Sequence, residues 1–280
     1  MDRQSRSRPH AAVVAVVMVL FCAGVVRAHD EDPAGGRPSH DGSPVHFSHP
    51  LIAESPSPDT KIRLDGFFLD LDDGGESGSE RTLRLEAEYA FHPSFSIELD
   101  VPVTTRNLDA APSVSSTDTV DISLKFASFT FQRQGVLLGY GLEIGLPTGN
   151  DRKEIGSDHL VVFEPFFDVG YVRGRLEVVA FVSFGIPTNQ DDMEEVETEL
   201  GENLSLLYHF TPRLSGLLEL DGETVLSGPD DGQSVLNLTA GLKVRPWASH
   251  DLQVGVGLSV PVSSDEEFDT RGIVSVFYHF

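Results

Sequence analysis

Charged side chains recur at every second position in many segments of this chain. Arg84, Glu86 and Glu88, for example, alternate with the apolar residues of the segment 83–91. Because successive side chains of a β-strand point to opposite faces, such a segment presents one charged face and one apolar face. The charged faces predict the lining of an aqueous lumen. The predicted lining residues are Arg84, Glu86, Glu88, Glu98, Asp100, Asp121, Glu143, Glu164, Asp168, Glu177, Glu219, Asp221, Glu223, Lys243 and Arg245, with Lys125 and Arg271 on the same faces.

Acids outnumber bases in this predicted lining. Carboxylates around a narrow pore favour cations over anions, so the surplus predicts a cation-selective lumen. Opposite charges can also pair across the lumen, as Arg84 and Lys243 can with neighbouring carboxylates. We expect most of these residues to be ion-paired filler, with the surplus of acids leaving a negative field.

Nucleophilic catalysis has two candidate pairs. Ser205 with His209, and Ser275 with His279, are each close enough in sequence to share one face of a strand. A serine nucleophile needs a base within hydrogen-bond reach and a group that orients the base. The sequence has no Gly-x-Ser-x-Gly, no His-Glu-x-x-His and no Gly-rich phosphate loop. We therefore expect neither an enzyme nor a cofactor.

A cluster of histidines near the N-terminus, among aspartates and glutamates, could bind a metal ion. Imidazole together with carboxylate binds zinc, copper or nickel. The spacings are irregular, and a disordered segment has no preformed site. A solvated arm is the favoured interpretation, and a metal site remains the alternative. The candidate ligands are His29, His40, His46 and His49.

The N-terminus predicts export. Arg3, Arg6 and Arg8 precede an apolar run at 11–26, and a small residue, Ala28, stands before the expected cut. This pattern predicts a cleaved signal peptide at residues 1–28. Residues 29–58 are rich in Pro, Gly, Ser, Asp and His without periodicity, which predicts a flexible arm, and the barrel is expected at 59–280.

The balance of 44 acidic against 20 basic residues excludes nucleic acid as a partner, since phosphate binding requires clustered Lys and Arg. After the signal peptide no apolar run is long enough for a spanning helix, so a membrane protein of this composition must span with strands.

Twelve segments with alternating polarity predict an antiparallel transmembrane β-barrel, an all-β fold, following a disordered N-terminal arm. Short turns such as 92–94 alternate with long acidic loops such as 72–80 and 188–202. A soluble β-sandwich is the rival, but it has no reason to segregate its loops. The alternation slips near Gly66, which suggests a bulge. Aromatic girdles at the membrane interfaces are predicted for Phe91, Phe95, Tyr171, Phe210 and Trp247.

The C-terminal strand, with Tyr278 and Phe280 on its apolar face, resembles the assembly signal of bacterial outer-membrane barrels. The sequence is similar to outer-membrane transporters of the phenol-degradation meta-pathway type in three short segments: Leu146-Pro147-Thr148-Gly149, the related 186–188 and the lead-in at 49–63. This resemblance implies a Gram-negative outer-membrane location, the barrel-assembly machinery as partner, and transport of hydrophobic compounds. It identifies no binding residues.

The predicted function is passage of a small solute, hydrophobic or aromatic or cationic, through a porin-like channel in the outer-membrane lipid of the Gram-negative cell envelope. A structural or metal-associated barrel is the alternative, and an envelope enzyme is third. Barrels of eight strands are nearly filled by side chains, and those of sixteen or more leave an open channel, so twelve strands predict a lumen of intermediate width. The sequence leaves open the solute, the state of the pore and the oligomer.

Overall fold

A computed structural model describes residues 45–73, 76–188, 197–247 and 251–280. The predicted signal peptide lies outside the described residues, as does the first part of the predicted arm with His29 and His40. The described part contains these strands: β1 (Lys61–Asp73), β2 (Glu76–His92), β3 (Phe95–Leu108), β4 (Val114–Thr117), β5 (Val120–Ser128), β6 (Val136–Leu146), β7 (Val162–Arg173), β8 (Leu176–Pro187), β9 (Thr198–Thr211), β10 (Leu214–Ser227), β11 (Ser234–Val244), β12 (Leu252–Pro261) and β13 (Thr270–His279).

The strands form one closed antiparallel barrel. Each long strand pairs with its neighbours in the chain, β3 pairs with β5, and β1 closes the barrel by pairing with both β2 and β13. The short β4 lies outside this cycle, against the end of β3. Twelve strands of the described chain therefore make the barrel wall, which confirms the predicted all-β transmembrane barrel.

Pro102 marks a change of partner along one edge of β3. Phe95 to Asp100 pair with β5, whereas Val103 to Arg106 pair with β4. Proline has no N–H to donate to a ladder, so it is placed where pairing is interrupted. The related prolines of β8 and β12, Pro187 and Pro261, are the last residues of their strands. The recurring prolines thus lie where strand pairing stops or changes.

The predicted bulge near Gly66 is wrong. β1 pairs with β2 and β13 without a register shift from Lys61 to Asp70. The alternation slips in the sequence because apolar Phe67 shares the inward face with Asp65, while Asp70 takes the outward face. The predicted loop at 72–80 is also mostly strand, since Ser77 to Glu80 continue the β1–β2 ladder.

The two ends of the barrel differ in their connections. Turns 93–94, 174–175 and 212–213 lie at the end where the Phe280 N–H donates to the Thr60 carbonyl at 3.0 Å. We call this the short-turn end, and we call the opposite end, with connections such as 109–119 and 147–161, the long-loop end. No helix in the described ranges is long and apolar enough to cross a membrane.

The outer face of the wall is apolar and bears aromatic rings near the short-turn end. Adjacent rings contact one another from Tyr89 through Phe91, Phe95 and Phe126 to Tyr140, with centroids 4.8 to 5.7 Å apart. Amphipathic rings at this height are typical of the girdle of a transmembrane barrel. Of the other predicted girdle residues, Phe210 and Trp247 are exposed and Tyr171 is half-buried.

Candidate functional site: the barrel lumen

The strand register places the predicted lining residues on the inner face of the wall. Glu88 and Glu86 of β2 lie opposite Lys61 and Arg63 of β1, and the same face continues around the barrel through successive partners. Arg245 follows directly after the last residue of β11. The inward set is Arg84, Glu86, Glu88, Glu98, Asp100, Asp121, Glu143, Glu164, Asp168, Glu177, Glu219, Asp221, Glu223 and Lys243.

Residues 45–60, which we call the inner segment, lie inside the barrel at its short-turn half. Phe47 and Leu51 are fully buried, and Leu51 packs with the inward side chains Leu207, Leu217 and Phe277. Residues 45–58 therefore belong to the filled interior, which corrects the prediction of a flexible arm for this part of the chain. The segment lacks periodicity because it is irregular chain held by contacts with the barrel wall.

Charged side chains of the wall hold the backbone of the inner segment. The Glu219 carboxylate accepts the N–H groups of Leu51, Ile52 and Ala53 at 3.0 to 3.3 Å. Arg63 donates to the Leu51 carbonyl at 2.5 Å, and the Lys243 ammonium donates to the His49 carbonyl. Hydrogen bonds to charged groups are stronger than neutral ones, so these contacts fix the path of the segment.

Glycines on the inner wall make room for the large side chains of the inner segment. A Cβ atom on Gly255 would lie 2.5 Å from Leu51 Cδ2, and one on Gly170 would lie 2.7 Å from the Phe47 ring. Both distances are too short for any larger residue without displacement. These positions are thus glycine because the inner segment packs directly on the strand backbone.

A network of buried ion pairs fills the lumen between its centre and the short-turn end. The Lys61 ammonium lies 2.5 Å from Glu86 and 2.9 Å from Glu88, and the Lys125 ammonium lies 2.5 Å from Glu54 of the inner segment. Glu88 and Glu98 are direct cross-strand partners, a repulsive arrangement that the two lysines offset. Sequence reasoning found Lys125 but missed Lys61 and Arg63, which the apparent phase slip in β1 concealed.

The long-loop half of the lumen is acidic and less completely paired. Asp100 lies opposite Asp121, and Glu143 lies opposite Glu164, in neighbouring strands. Within the described residues, no lysine, arginine or histidine nitrogen lies within 4.0 Å of these four carboxylates, and all four side chains are half-buried rather than buried. Carboxyl groups opposite one another without a neighbouring cation give this half of the lumen an acidic lining, which attracts cations from water.

The predicted serine–histidine pairs are not formed. Ser205 is fully buried without a hydrogen-bond partner, and Ser275 donates to Asp65 at 2.5 Å. His209 instead contacts Ser215 Oγ through Nδ1 and Glu177 Oε1 through Nε2, both at 2.7 Å.

This contact set has the order nucleophile, base and carboxylate, but its surroundings indicate a structural role. The Glu177 carboxylate also accepts the backbone N–H of Ser48 at 2.8 Å. The adjacent cavity is small, about 60 Å³. Glu177 thus fastens Ser48 of the inner segment to the wall, and His209 contacts the same carboxylate.

Two of the four predicted metal ligands, His46 and His49, converge on the carboxylate of Asp59. Partial desolvation lowers the pKa of His46, whose side chain is still about half exposed, but the hydrogen bond and the charge of Asp59 outweigh it and leave the pKa raised. Burial and the neighbouring Lys61 lower the pKa of His49 well below its usual value. Burial opposes ionisation of Asp59, yet hydrogen bonds from His279, His46 and His49 leave its pKa lowered.

A second His–Asp group lies in the β6–β7 connection at the long-loop end. His159 Nδ1 is 2.8 Å from Asp151, and this hydrogen bond raises the pKa of the exposed His159. Asp158 lies 3.6 Å from the same nitrogen. This group has a single imidazole and was not predicted as a site.

The C-terminal residues named as an assembly signal lie on the outer face of β13 and just beyond it. Tyr278 and Phe280 meet edge to face at 5.0 Å, and both side chains are exposed. This placement leaves them available to another molecule, and their role in assembly remains a prediction.

The fold is shared with solved outer-membrane barrels. An outer-membrane channel from Pseudomonas putida F1 is similar with a TM-score of 0.63 and 14% identity, over 84% of this chain and 100% of that chain. The NanC porin is similar with a TM-score of 0.55 and 8% identity, over 78% of this chain and 98% of that chain. The transport unit of the autotransporter AIDA-I from Escherichia coli is similar with a TM-score of 0.50 and 12% identity, over 84% of this chain and 94% of that chain. No family model and no curated protein sequence matches the chain. The chain thus has the fold of Gram-negative outer-membrane β-barrels.

Proposed function

We propose that the chain is an outer-membrane channel that passes a small solute, with the inner segment as a constriction at its periplasmic end. The supporting observation is the division of the lumen into two halves. Carboxylates line the long-loop half, whereas Phe47, Leu51 and the ion pairs of Lys61 fill the short-turn half. Short turns face the periplasm in barrels of this kind. A solute entering from outside would therefore meet an acidic vestibule first and a narrow passage second.

The vestibule would make the channel selective for cations. The acids that carry this proposal are Asp121, Glu143, Glu164 and Glu223, which are half-buried and lie on the inner face. Glu219 and Asp221 contribute less, since Glu219 binds the inner segment and Asp221 pairs with Arg271 at 2.8 Å. Uncompensated carboxylates concentrate cations, and less so at high salt, where screening is stronger.

Ion selectivity in planar bilayers tests this proposal. We expect a cation-selective reversal potential in a salt gradient, reduced in the double variant Asp121→Asn/Glu143→Gln. Asp251→Asn is the matched control, because Asp251 is an exposed acid at the short-turn end. An anion-selective pore, or equal loss in the control, would contradict the assignment of the vestibule.

The solute class has two candidates within this proposal. The vestibule favours a small organic or inorganic cation, whereas the resemblance at Leu146-Pro147-Thr148-Gly149 favours an aromatic compound. Thr148 at that motif accepts the Val120 N–H and donates to the Asp118 carbonyl, both at 2.8 Å, so the motif builds the rim of the barrel. Uptake of a small organic cation and of a neutral aromatic, compared between deletion and wild-type cells, separates the two.

A further inference from the structure

Three imidazoles surround a single carboxylate oxygen at the short-turn mouth. Asp59 Oδ2 lies 3.0 Å from His46 Nε2, 3.1 Å from His49 Nε2 and 2.8 Å from His279 Nδ1. Two of these histidines belong to the inner segment and the third to the last strand. The ring centroids are 5.4 to 6.4 Å apart, so the three side chains meet at one point from different directions.

This arrangement has the ligand composition of a tetrahedral transition-metal site, and its distances to the carboxylate oxygen are close to those of such a site. Zinc binds imidazole nitrogen and carboxylate oxygen at about 2.1 Å, which gives a tetrahedron with edges of about 3.4 Å. The three oxygen–nitrogen distances at Asp59 are shorter than this by a few tenths of an ångström. The ligand atoms of His46, His49 and Asp59 lie within 4.8 Å of one another, whereas His279 is outside this group and reaches only Asp59. To admit an ion among all four ligands, the Asp59 oxygen has to move away from the centre and His279 has to turn towards the other two imidazoles.

The site is accessible to an ion from water. The side chain of His46 is 52% exposed, and those of Asp59 and His279 are 15% and 16% exposed. His49 is the buried member, and its other nitrogen, Nδ1, lies 3.0 Å from the Lys61 ammonium. Metal binding at His49 Nε2 transfers its proton to Nδ1 and ends that contact. Lys61 keeps Glu86 and Glu88 as partners.

The other two groups of potential ligands are less suited to a metal ion. Glu54, Glu86 and Glu98 surround a position that the Lys61 and Lys125 ammonium groups already neutralise. Asp151, Asp158 and His159 are exposed and contribute one imidazole. The cluster at Asp59 is the richest in nitrogen ligands within the described ranges, and zinc and its neighbours prefer such ligands.

We propose that His46, His49, His279 and Asp59 form a binding site for one divalent transition-metal ion of the zinc class. The bound ion would join the inner segment to the C-terminal strand at the mouth of the barrel. The proposal rests on the geometry of the inner segment and does not depend on conduction through the lumen, so a failed selectivity measurement would leave it standing.

Zinc titration of the full-length protein folded in detergent tests the site. After removal of metal by a chelator, we expect saturable binding of one Zn²⁺ per barrel, with X-ray absorption showing nitrogen and oxygen neighbours only. His46→Gln and His279→Gln should each weaken the affinity by more than about a hundredfold, since even groups that only support a ligand cost about 10–100-fold. The heat-dependent shift in electrophoretic mobility confirms that each variant is folded.

Two control variants separate this site from others that could bind zinc. His29→Gln/His40→Gln removes the remaining histidines of the predicted arm, and His159→Gln removes the exposed loop group. Both should bind zinc with unchanged affinity. Loss of binding in either control with retention in His46→Gln and His279→Gln would overturn the proposal, as would the absence of binding at neutral pH.

Discussion

The carboxylate of Glu219, in β10, accepts the backbone N–H of Leu51 at 3.0 Å, although the two residues are 168 positions apart in the chain. Two more backbone N–H groups, of Ile52 and Ala53, point at the same carboxylate. A charged acceptor that receives three backbone donors is a strong anchor in a site that excludes water. Together with Arg63, Lys243 and Glu177, this side chain of the wall therefore determines where the inner segment crosses the lumen.

Replacing Glu219 should release the inner segment. Each hydrogen bond to a charged group contributes about 1.5–3 kcal/mol, and the freed N–H groups can partly recover by bonding to water. We expect Glu219→Ala to lower the free energy of unfolding by about 3 kcal/mol in urea titrations, and to raise single-channel conductance.

The matched control for this variant is Glu223→Gln, four residues along the same face of β10 and without a contact to the inner segment. It should leave the single-channel conductance at the wild-type value and reduce the selectivity for cations. Equal conductance in the Glu219 variant and the wild type would show that the inner segment does not limit the pore.

Packing on the glycine wall gives a second test. A Cβ atom at position 255 would lie 2.5 Å from Leu51 Cδ2, so the branched side chain of Gly255→Val would force Leu51 to move. Overpacking of this kind costs about 1–3 kcal/mol. We expect faster proteolysis within residues 45–60 of the folded protein, measured by mass spectrometry of the fragments.

Gly272→Val, on the outer face of β13, is the control for Gly255→Val. The nearest atom to its added Cβ, the Phe68 carbonyl oxygen, is 3.8 Å away, which is an ordinary contact. Proteolysis within the inner segment should stay at the wild-type rate. Equal acceleration in both variants would indicate general loosening of the barrel.

Alternation of period two was sufficient to predict the strands, because a wall between lipid and water forces each residue to one side. The alternation is misleading in β1, where the apolar Phe67 faces inward among polar groups. The inward positions of Lys61 and Arg63 are therefore not apparent from the sequence. The inward position of Ile273 and Phe277 is predictable, since both share a face of the strand with Ser275. Their packing against the inner segment is not, because local alternation does not show which distant residue they contact.

The inner segment could not be predicted for a physical reason. Its contacts are with glycines and charges far away in sequence, such as Gly255 and Glu219, and it has no hydrogen-bonded ladder of its own. A chain without periodicity is therefore indistinguishable, at the sequence level, from a solvated arm. The same limit applies to Asp59, whose three histidine partners come from both ends of the barrel domain.

The assignment of inside and outside predicts opposite responses to arginine. Leu218 is outward and 50% exposed, so a charge there would face hydrocarbon at a cost of about 2–4 kcal/mol near the bilayer midplane. Glu143 faces the lumen opposite Glu164, where a cation would be attracted. We expect Leu218→Arg to reduce insertion into liposomes strongly and Glu143→Arg to reduce it little. Equal damage by the two variants would contradict the assignment of faces.

The C-terminal residue gives the last prediction, which concerns assembly in the cell. Phe280 is 75% exposed, and among protein contacts its ring meets Tyr278 at the outer rim. Its backbone N–H donates to the carbonyl of Thr60, the last residue of the inner segment, and deletion would remove this hydrogen bond. Deleting Phe280 should therefore change stability in vitro by only about 1 kcal/mol.

If the residue completes an assembly signal, the amount of folded protein in the outer membrane should nevertheless fall severalfold, measured as the heat-modifiable band. Phe91→Ala is the control, because Phe91 is also an exposed ring, at 61%, and lies at the same end of the barrel. A similar loss of folded protein in this control would attribute the effect to the aromatic girdle instead of the terminus.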